Sequence, residues 1–181
     1  MDSKKLLVIS DTHGSVNMLT TVFKWAAEKK PPDDSICAAA FLGDGIEDLY
    51  PAMRAAGFSC NWAIVKGNND FYVKEAESAV FDFVNYRFFI CHGHRYSLYG
   101  GYHSLVTAAK ANGANAVLSG HTHIPIQKTV EDIHLINPGS VGRPRSRIGS
   151  TFAVIECEEG EQLKVEFFGI DAKGKIDKIT L

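Results

Sequence analysis

The sequence predicts an α/β fold, a four-layer αββα sandwich of two mixed β-sheets flanked by helices. Three observations lead to this prediction. Short apolar runs alternate with amphipathic stretches through the first two thirds of the chain, polar or glycine-rich residues follow each apolar run, and the pattern changes to strand after strand beyond residue 124. An α/β half followed by a β-rich half favours two sheets packed face to face with helices outside.

The strands and helices of the first two thirds follow from the hydrophobic pattern. Apolar runs predict strands at residues 6–10, 37–42, 62–65, 86–91 and 116–119. Apolar residues at helical spacing predict helices at residues 15–28, 47–56 and 104–112. The composition of residues 29–35, KKPPDDS, is that of an exposed loop.

The last third predicts antiparallel strands joined by tight turns. The turn signals are Glu131-Asp132, Glu159-Gly160 and Lys173-Gly174. Repeats and linkers are absent from the sequence, so residues 1–181 are expected to form a single domain.

Composition and charge exclude several classes of protein. The chain of 181 residues is 45% hydrophobic and carries a formal net charge of −2, so an extended basic surface for nucleic acid or anionic membrane is not expected. The apolar run near the N-terminus is too short for a signal peptide or a membrane span. We therefore expect a protein that does not bind membranes.

The cysteine pattern favours a reducing compartment. Cys37, Cys60, Cys91 and Cys157 are far apart and lack CxxC spacing. They are predicted to be buried free thiols, as expected for a cytoplasmic protein.

Polar residues follow five of the predicted strands. These loops read Asp11-Thr12-His13-Gly14, Gly43-Asp44-Gly45, Gly67-Asn68-Asn69-Asp70, His92-Gly93-His94 and Gly120-His121-Thr122-His123. They contain five of the seven histidines of the chain. Because ligands of open α/β sheets bind beyond the carboxyl ends of the strands, these side chains are expected to converge.

The donor types in these loops predict a metal site. Carboxylate, imidazole and amide oxygens suit divalent ions such as Mn²⁺, Fe²⁺, Zn²⁺ or Ni²⁺. Two such ions about 4 Å apart can stabilise the attacking and leaving oxygens of a phosphoryl displacement, and a central carboxylate, Asp44, can bridge them. The candidate ligands are Asp11, His13, Asp44, Asn68, His92, His121 and His123.

The five motifs D-x-H, G-D, G-N-x-D, H-G-H and G-H-T-H, in this order, resemble those of the calcineurin-like metallophosphoesterases. Within that family they are most similar to the small single-domain YfcE-type phosphodiesterases. The resemblance runs from Leu6 to about Gly142 and includes the turn Asn137-Pro138-Gly139-Ser140.

The resemblance implies a division of the ligands between two metal ions. One ion would be held by Asp11, His13 and His123, the other by Asn68, His92 and His121, with Asp44 as the bridge. Manganese is the expected metal, with iron, zinc and nickel as alternatives. A hydroxide bridging the two ions is then expected to attack a phosphodiester, or else a phosphomonoester.

The alternation in His121-Thr122-His123 predicts that both imidazoles face the metals, because residues two apart in an extended segment point the same way. The glycines beside the ligands are expected either to permit close backbone approach or simply to form turns after strands.

Three further residues are candidates for substrate contacts: Asn69, His94 and Arg143. Asn69 stands where many larger relatives carry a histidine that assists the leaving group. If a general acid is needed, it must be another group, such as His94 or a metal-bound water, and an orienting or a structural role of His94 is also open. Arg143 is favoured over Arg145 and Arg147 because it lies closest to the turn ending at residue 140.

Two other functions remain open at this stage. The first is a protein-interaction scaffold, like the retromer subunit that has this fold and has lost some of the metal ligands. In this chain the set of metal ligands looks complete. A phosphomonoesterase or phosphoprotein phosphatase would keep the metals and change the substrate. The motifs are separated by no large insertions, which suits a small or exposed phosphoester. The oligomeric state is open, with a homo-oligomer among the options.

Overall fold

The computed structural model describes residues 3–29 and 35–181, so most of the predicted loop at residues 29–35 lies outside the described residues. The helices are α1 (Val16–Ala27), α2 (Ile46–Ala56) and α3 (His103–Ala111), with a short 3₁₀ turn at Leu98–Gly100. The strands are β1 (Lys4–Ile9), β2 (Ile36–Phe41), β3 (Asn61–Ile64), β4 (Ser78–Phe83), β5 (Tyr86–Cys91), β6 (Ala116–Ser119), β7 (Pro125–Val130), β8 (Ile133–Pro138), β9 (Ser150–Cys157), β10 (Lys164–Ile170) and β11 (Ile176–Ile179).

The strands form two mixed sheets. The first has the order β11-β10-β9-β1-β2-β3, in which β1, β2 and β3 are parallel and the C-terminal strands antiparallel. The second has the order β4-β5-β6-β8-β7, with β5, β6 and β8 parallel. The middle of the chain therefore builds one sheet, and the two ends of the chain build the other.

Three apolar clusters separate four layers. The cluster between the sheets includes Leu6 and Val8 of β1 and Ile90 of β5. A second cluster packs the other face of the first sheet against α1 and α2, for example through Phe23. A third packs the second sheet against α3, for example through Leu105. The predicted αββα sandwich is confirmed, and burial of these faces is its main source of stability.

The element predictions hold except between β3 and β5. The three helices and five strands lie where the sequence predicts them, within two residues at each end, and the last third consists of strands. The expected alternation of strand and helix is wrong at Ser78–Phe83, which forms β4 and pairs with β5 in a hairpin. Most of β4 is only partly buried, because it is an edge strand, so its sequence lacks the continuous apolar run of a central strand.

The cysteines are all free, but only Cys91 and Cys157 are buried. Cys37 is exposed, because it lies in the first half of β2, before that strand becomes covered. Burial raises the pKa of the Cys91 thiol to about 12, which makes it chemically inert. In the described residues, no helix is both long and apolar enough to span a bilayer.

Candidate metal centre

The loops after β1 and β2 are held together by backbone hydrogen bonds. The amide of Asp11 donates to the carbonyl of Gly43 over 3.0 Å, and the amide of His13 donates to the carbonyl of Asp44 over 3.1 Å. Because β1 and β2 are parallel neighbours, their carboxyl ends deliver the two acidic side chains to the same edge of the sheet.

The loops after β5 and β6 approach the same place from the second sheet. The amide of Gly120 donates to the carbonyl of His92 over 2.9 Å, and the amide of His121 donates to Asp11 Oδ2 over 3.0 Å. The second of these bonds crosses from one sheet to the other. The candidate site is therefore assembled at the end of the sandwich where both sheets meet.

The backbone around the site adopts left-handed conformations, which residues with a Cβ rarely adopt. Positive φ values occur at five of the seven candidate ligands, Asp11, His13, Asp44, His121 and His123. Such residues cost about 1–3 kcal/mol each and are concentrated at functional sites. Tertiary contacts therefore impose a geometry here that local preference would not select.

Two glycines make room for the acidic side chains. A Cβ on Gly67 would lie in contact with Asp44 Oδ1 and with the Asp44 backbone nitrogen. A Cβ on Gly120 would overlap Ser10 Oγ and lie 2.8 Å from Asp11 Oδ2. At these two positions close backbone approach, rather than ordinary turn formation, accounts for the glycine.

Three imidazole nitrogens surround Asp11 Oδ1. His123 Nε2 lies 3.1 Å from this oxygen, His13 Nε2 lies 3.8 Å from it, and His92 Nε2 lies 3.9 Å from it. Asp44 Oδ2 lies between two of the same rings, 3.4 Å from His92 Nε2 and 3.6 Å from His13 Nε2. Two overlapping groups with metal-ligand spacing result, Asp11 with His13 and His123, and Asp11 with Asp44 and His92.

The remaining two candidates complete the rim of this cluster. His121 packs its ring against His92 with centroids 5.2 Å apart, whereas His123 packs against His13 at 5.1 Å. Asn68 lines the same pocket. His121 and His123 thus lie in different halves of the site. The expectation that they alternate along an extended segment is wrong, because both residues have positive φ and His121 lies in a bend.

Buried polar atoms without partners test whether a metal fits. Asp11 Oδ1 and His92 Nε2 are buried and lack a hydrogen bond among the described residues. The other ring nitrogen of His92, Nδ1, lies 2.7 Å from the carbonyl of Leu42, and Nδ1 of His123 contacts the carbonyl of Arg143. Each Nδ1–H can donate outward, which directs the Nε2 lone pair toward the cluster. The donor set therefore fits divalent cations.

The protein charges around Asp44 favour its ionised form. Burial raises the pKa of this carboxyl, but the neighbouring His92 and the hydrogen bonds from Asn69 outweigh burial and hold the pKa below its usual range. Burial alone would lower the pKa of His92, whereas the carboxylates of Asp44 and Asp11 raise it overall. The negative charge of the two carboxylates is thus the kind that divalent cations can balance.

A family comparison agrees with this geometry. The family model described as the calcineurin-like phosphoesterase superfamily domain matches residues 5–160. The chain belongs to this superfamily. The predicted resemblance is confirmed, and divalent metals are the cofactors of the family.

Curated relatives of similar length support the assignment. The Bacillus subtilis protein YsnB, named as a probable metallophosphoesterase, is 27% identical over 180 residues, which cover 97% of this chain and 99% of YsnB. The Methanocaldococcus jannaschii protein MJ0936, named as a phosphodiesterase, is 26% identical over 178 residues, which cover 89% of this chain and 98% of MJ0936.

Solved structures share the fold. A Streptococcus pneumoniae protein described as a predicted phosphoesterase superimposes with a TM-score of 0.76 at 25% identity and covers 99% of this chain and 98% of its own. Two more distant structures show the fold alone. They are Entamoeba histolytica Vps29, with a TM-score of 0.73 at 20% identity and coverage of 97% and 98%, and Escherichia coli Yfce, with 0.65 at 19% and the same coverage.

Within this superfamily member, Asn69 and Asp70 support the acidic side chains. Asn69 donates from its backbone amide to Asp44 Oδ1 over 2.7 Å and from its side-chain amide to Asp44 Oδ2. The Asp70 carboxylate accepts four backbone N–H bonds, from Asp44, Gly45, Ile46 and Gly67, all at 2.7–2.9 Å. Asp70 thus fixes the β2 and β3 loops to each other.

His94 lies behind the metal ligands rather than among them. Its ring packs 5.5 Å from that of His92, and it borders a small cavity with Glu77 and Arg95. Its Nδ1 is buried without a partner among the described residues. Burial, followed by the neighbouring His92, lowers the pKa of His94, so the neutral imidazole is favoured.

Arginines border the open side of the phosphoesterase site. Both Arg143 and Arg145 line its pocket of about 190 Å³, and the substrate contact expected of Arg143 stays a prediction. The amide of Arg145 donates to the carbonyl of His123 over 3.2 Å, and its guanidinium donates to the hydroxyl of Tyr99 over 2.9 Å. The ring of Tyr99 lies 6.1 Å from that of His121.

Two positioning residues escaped the sequence reasoning. Asp48 of α2 is buried and accepts hydrogen bonds from Thr12 Oγ1 and from the Gly14 amide over 2.9 Å. Ser140 Oγ donates to the carbonyl of Asp11 and accepts from the amide of Arg143, both over 2.7 Å. A single acidic residue in a first helical turn carries no signal of this role, whereas Ser140 belongs to a motif that the sequence reasoning did single out.

Proposed function

We propose that the chain is a dinuclear metal-dependent phosphodiesterase. The observation that carries the proposal is the position of Asp11 Oδ1 and Asp44 Oδ2 among the Nε2 atoms of His13, His92 and His123, all within 3.9 Å of one of the two oxygens. This cluster is too acidic and too rich in inward-facing lone pairs to be explained by packing alone.

The seven predicted side chains would hold two cations. One set is Asp11, His13 and His123, the other is Asn68, His92 and His121, and Asp44 would be shared. When bound, two divalent ions supply an activated water and neutralise charge on the phosphoryl oxygens. Manganese is the proposed metal, with iron, zinc and nickel as alternatives, because the donors are nitrogen and oxygen without sulfur.

The other side chains of the site position these groups and the substrate. Asn69 donates hydrogen bonds to both carboxylate oxygens of Asp44, so its main role is to position this carboxylate rather than to contact a substrate. Arg143 and Arg145 line the open side, where guanidinium groups suit phosphate oxygens. These residues favour an anionic phosphoester.

A diester with a good leaving group suits the proton donors present. His94 is the candidate general acid, but its ring lies against His92 rather than in the metal pocket, and burial lowers its pKa, so a leaving group that needs little protonation is favoured. The related MJ0936 is named as a phosphodiesterase, which supports the same substrate class. Phosphomonoesters remain the alternative. We further propose that residues 1–181 form one domain. We also propose a cytoplasmic location, since all four cysteines are free.

The proposal is tested by the substitution Asp44→Asn. In the presence of Mn²⁺, hydrolysis of bis(p-nitrophenyl) phosphate is expected to fall by at least about 100-fold, because the shared carboxylate loses a charge and an oxygen donor. The matched control is Asp82→Asn, which neutralises an exposed carboxylate on β4 and should retain wild-type turnover. Equal turnover by wild type and Asp44→Asn would overturn the proposal.

The same assay separates an enzyme from a scaffold. Vps29 shares the fold, but that likeness concerns architecture only. A chain acting only as an interaction module is expected to show no turnover with any of the four metals. The clustered acidic and histidine side chains favour the enzyme.

A further inference from the structure

Two large aromatic side chains lie exposed next to the candidate metal centre. Phe71 is 70% exposed and Tyr72 is fully exposed, although both follow directly on the motif that ends at Asp70. We call this pair the aromatic ledge. Adjacent exposed aromatic side chains beside a polar pocket are more typical of a binding surface than of a random surface.

The ledge is anchored on both sides. Before it, three hydrogen bonds to the Asp70 carboxylate fix the backbone to the residues that follow β2, and a fourth comes from Gly67. After it, Val73 packs against the cluster beneath α1 and α2, and the Lys66 amide closes the loop by donating to the carbonyl of Ala76 over 2.9 Å.

The local backbone therefore holds the two rings outward. Tyr72 has a φ of 63°, a conformation that residues with a Cβ rarely adopt. The anchors on either side impose this conformation, and neither ring gains burial in the core from it. Because the backbone on both sides is anchored, little loop entropy is lost when a ligand binds to the two rings.

A groove at the ledge lies next to the metal pocket. The groove has a volume of about 260 Å³ and is lined by Glu47, Asn69, Asp70, Phe71, Tyr72 and Val73. Asn69 also lines the metal pocket, so the two spaces share a wall. A phosphorus atom at the metal pocket would therefore place one ester substituent in reach of the groove.

The chemistry of the groove selects the substituent. Phe71 and Tyr72 supply aromatic rings on which a flat heterocycle can stack, and the Glu47 carboxylate can accept a hydrogen bond from an N–H group at its edge. A second phosphate would be repelled by Glu47 and Asp70, whereas Arg143 and Arg145 lie in the metal pocket itself. The groove thus suits a neutral, planar, N–H-bearing ring.

We propose that the aromatic ledge binds the nucleobase of a nucleoside phosphoester whose phosphate lies at the metal centre. This inference rests on the proposed function and names its substrate class. Stacking of one base on aromatic side chains strengthens binding by about 5- to 150-fold.

The kinetic test compares two substrates that release the same leaving group. They are thymidine 5′-(p-nitrophenyl phosphate) and methyl p-nitrophenyl phosphate, assayed with Mn²⁺. We expect kcat/KM of the wild type to be at least about 5-fold higher for the thymidine ester. In Phe71→Ala/Tyr72→Ala, and in Phe71→Leu, which keeps an apolar side chain without a ring, this ratio should fall toward one.

The matched control is Tyr50→Ala, which removes an exposed tyrosine of α2 that does not line the groove. This variant should keep the wild-type ratio. The proposal for the aromatic ledge would be wrong if the ratio of the two kcat/KM values were near one in the wild type, or if it were unchanged in the double variant.

A binding measurement distinguishes failure of the ledge from failure of the proposed function. Thymidine 5′-monophosphate and inorganic phosphate are titrated calorimetrically into Mn²⁺-loaded wild type and double variant. If neither ester is hydrolysed but the nucleotide binds more tightly than phosphate in the wild type only, nucleobase binding by the aromatic ledge is supported and the phosphodiesterase proposal is wrong. If the wild type binds the nucleotide no more tightly than phosphate, or if the double variant still binds the nucleotide more tightly, the aromatic ledge does not bind the nucleobase.

Discussion

At the scale of single residues, the site depends on glycines that lack a Cβ as much as on the side chains that carry donor atoms. Gly67 gives Asp44 its position, because a Cβ there would occupy the space of the Asp44 carboxylate and backbone. The glycine and the acid therefore act as one unit. A substitution at the glycine should damage the site without removing any predicted metal ligand.

The substitution Gly67→Ala is expected to lower kcat/KM by about 100-fold, since a displacement of about 1 Å at a catalytic group has an effect of that size. The comparison variant is Gly100→Ala, where φ is not positive and no atom lies within 4 Å of the added Cβ. Steady-state kinetics with bis(p-nitrophenyl) phosphate measures both. Wild-type kinetics in Gly67→Ala would show that the loop relaxes freely and that the glycine has no such role.

The identity of the site residues could be predicted, but their conformations could not. Five short motifs carry the donors, and strand ends bring them together, so Asp11 and Asp44 were accessible from sequence. The left-handed conformation of His121 and His123 was not, because it comes from tertiary contacts that override the preference of non-glycine residues. For the same reason, the facing of these two rings toward opposite halves of the site required coordinates.

At the scale of elements, the edge of the second sheet explains the one strand that the sequence pattern missed. The hairpin of β4 and β5 turns at Val84 and Asn85, and Val84 has a φ of 56°. A β-branched residue is poorly suited to this conformation, and hairpin turns that need positive φ usually contain glycine or asparagine. The position with positive φ holds valine instead, with the asparagine one residue later, so the turn signal was weak, and the edge strand lacked a continuous apolar run.

The substitution Val84→Gly should relieve this strain and raise the free energy of unfolding by up to about 1 kcal/mol, because a left-handed residue with a Cβ costs about 1–2 kcal/mol and the lost side-chain burial offsets part of the gain. Urea denaturation measures the change. Asn85→Gly is the control, since Asn85 lacks a positive φ and glycine there should stabilise nothing. A loss of stability in Val84→Gly would show that the turn is not strained.

At the scale of the whole molecule, the candidate metal ligands connect the two sheets. Asp11, His13, Asp44 and Asn68 follow strands of the first sheet, whereas His92, His121 and His123 follow strands of the second. Cations held by both groups would resist separation of the sheets. Metal binding and global stability are therefore expected to be linked.

Mn²⁺ at about 100 times its dissociation constant is expected to add about 2.7 kcal/mol to the free energy of unfolding, and a chelator should remove this gain. Thermal denaturation followed by circular dichroism measures the shift. His92→Ala should lose most of it, whereas His134→Ala, which removes a histidine of β8 outside the cluster, should retain it. An equal Mn²⁺ shift in wild type and His92→Ala would contradict the linkage.

The pairing of β1 with β9 also has a consequence for synthesis on the ribosome. All seven candidate ligands precede residue 124, yet one edge of β1 stays open until the chain reaches Ser150–Cys157, since Leu6 pairs with Ile155. Contacts so distant along the chain form late and slowly. A nascent chain that already carries every motif of the site would therefore expose an unpaired edge of β1 next to its metal-binding side chains until β9 is translated.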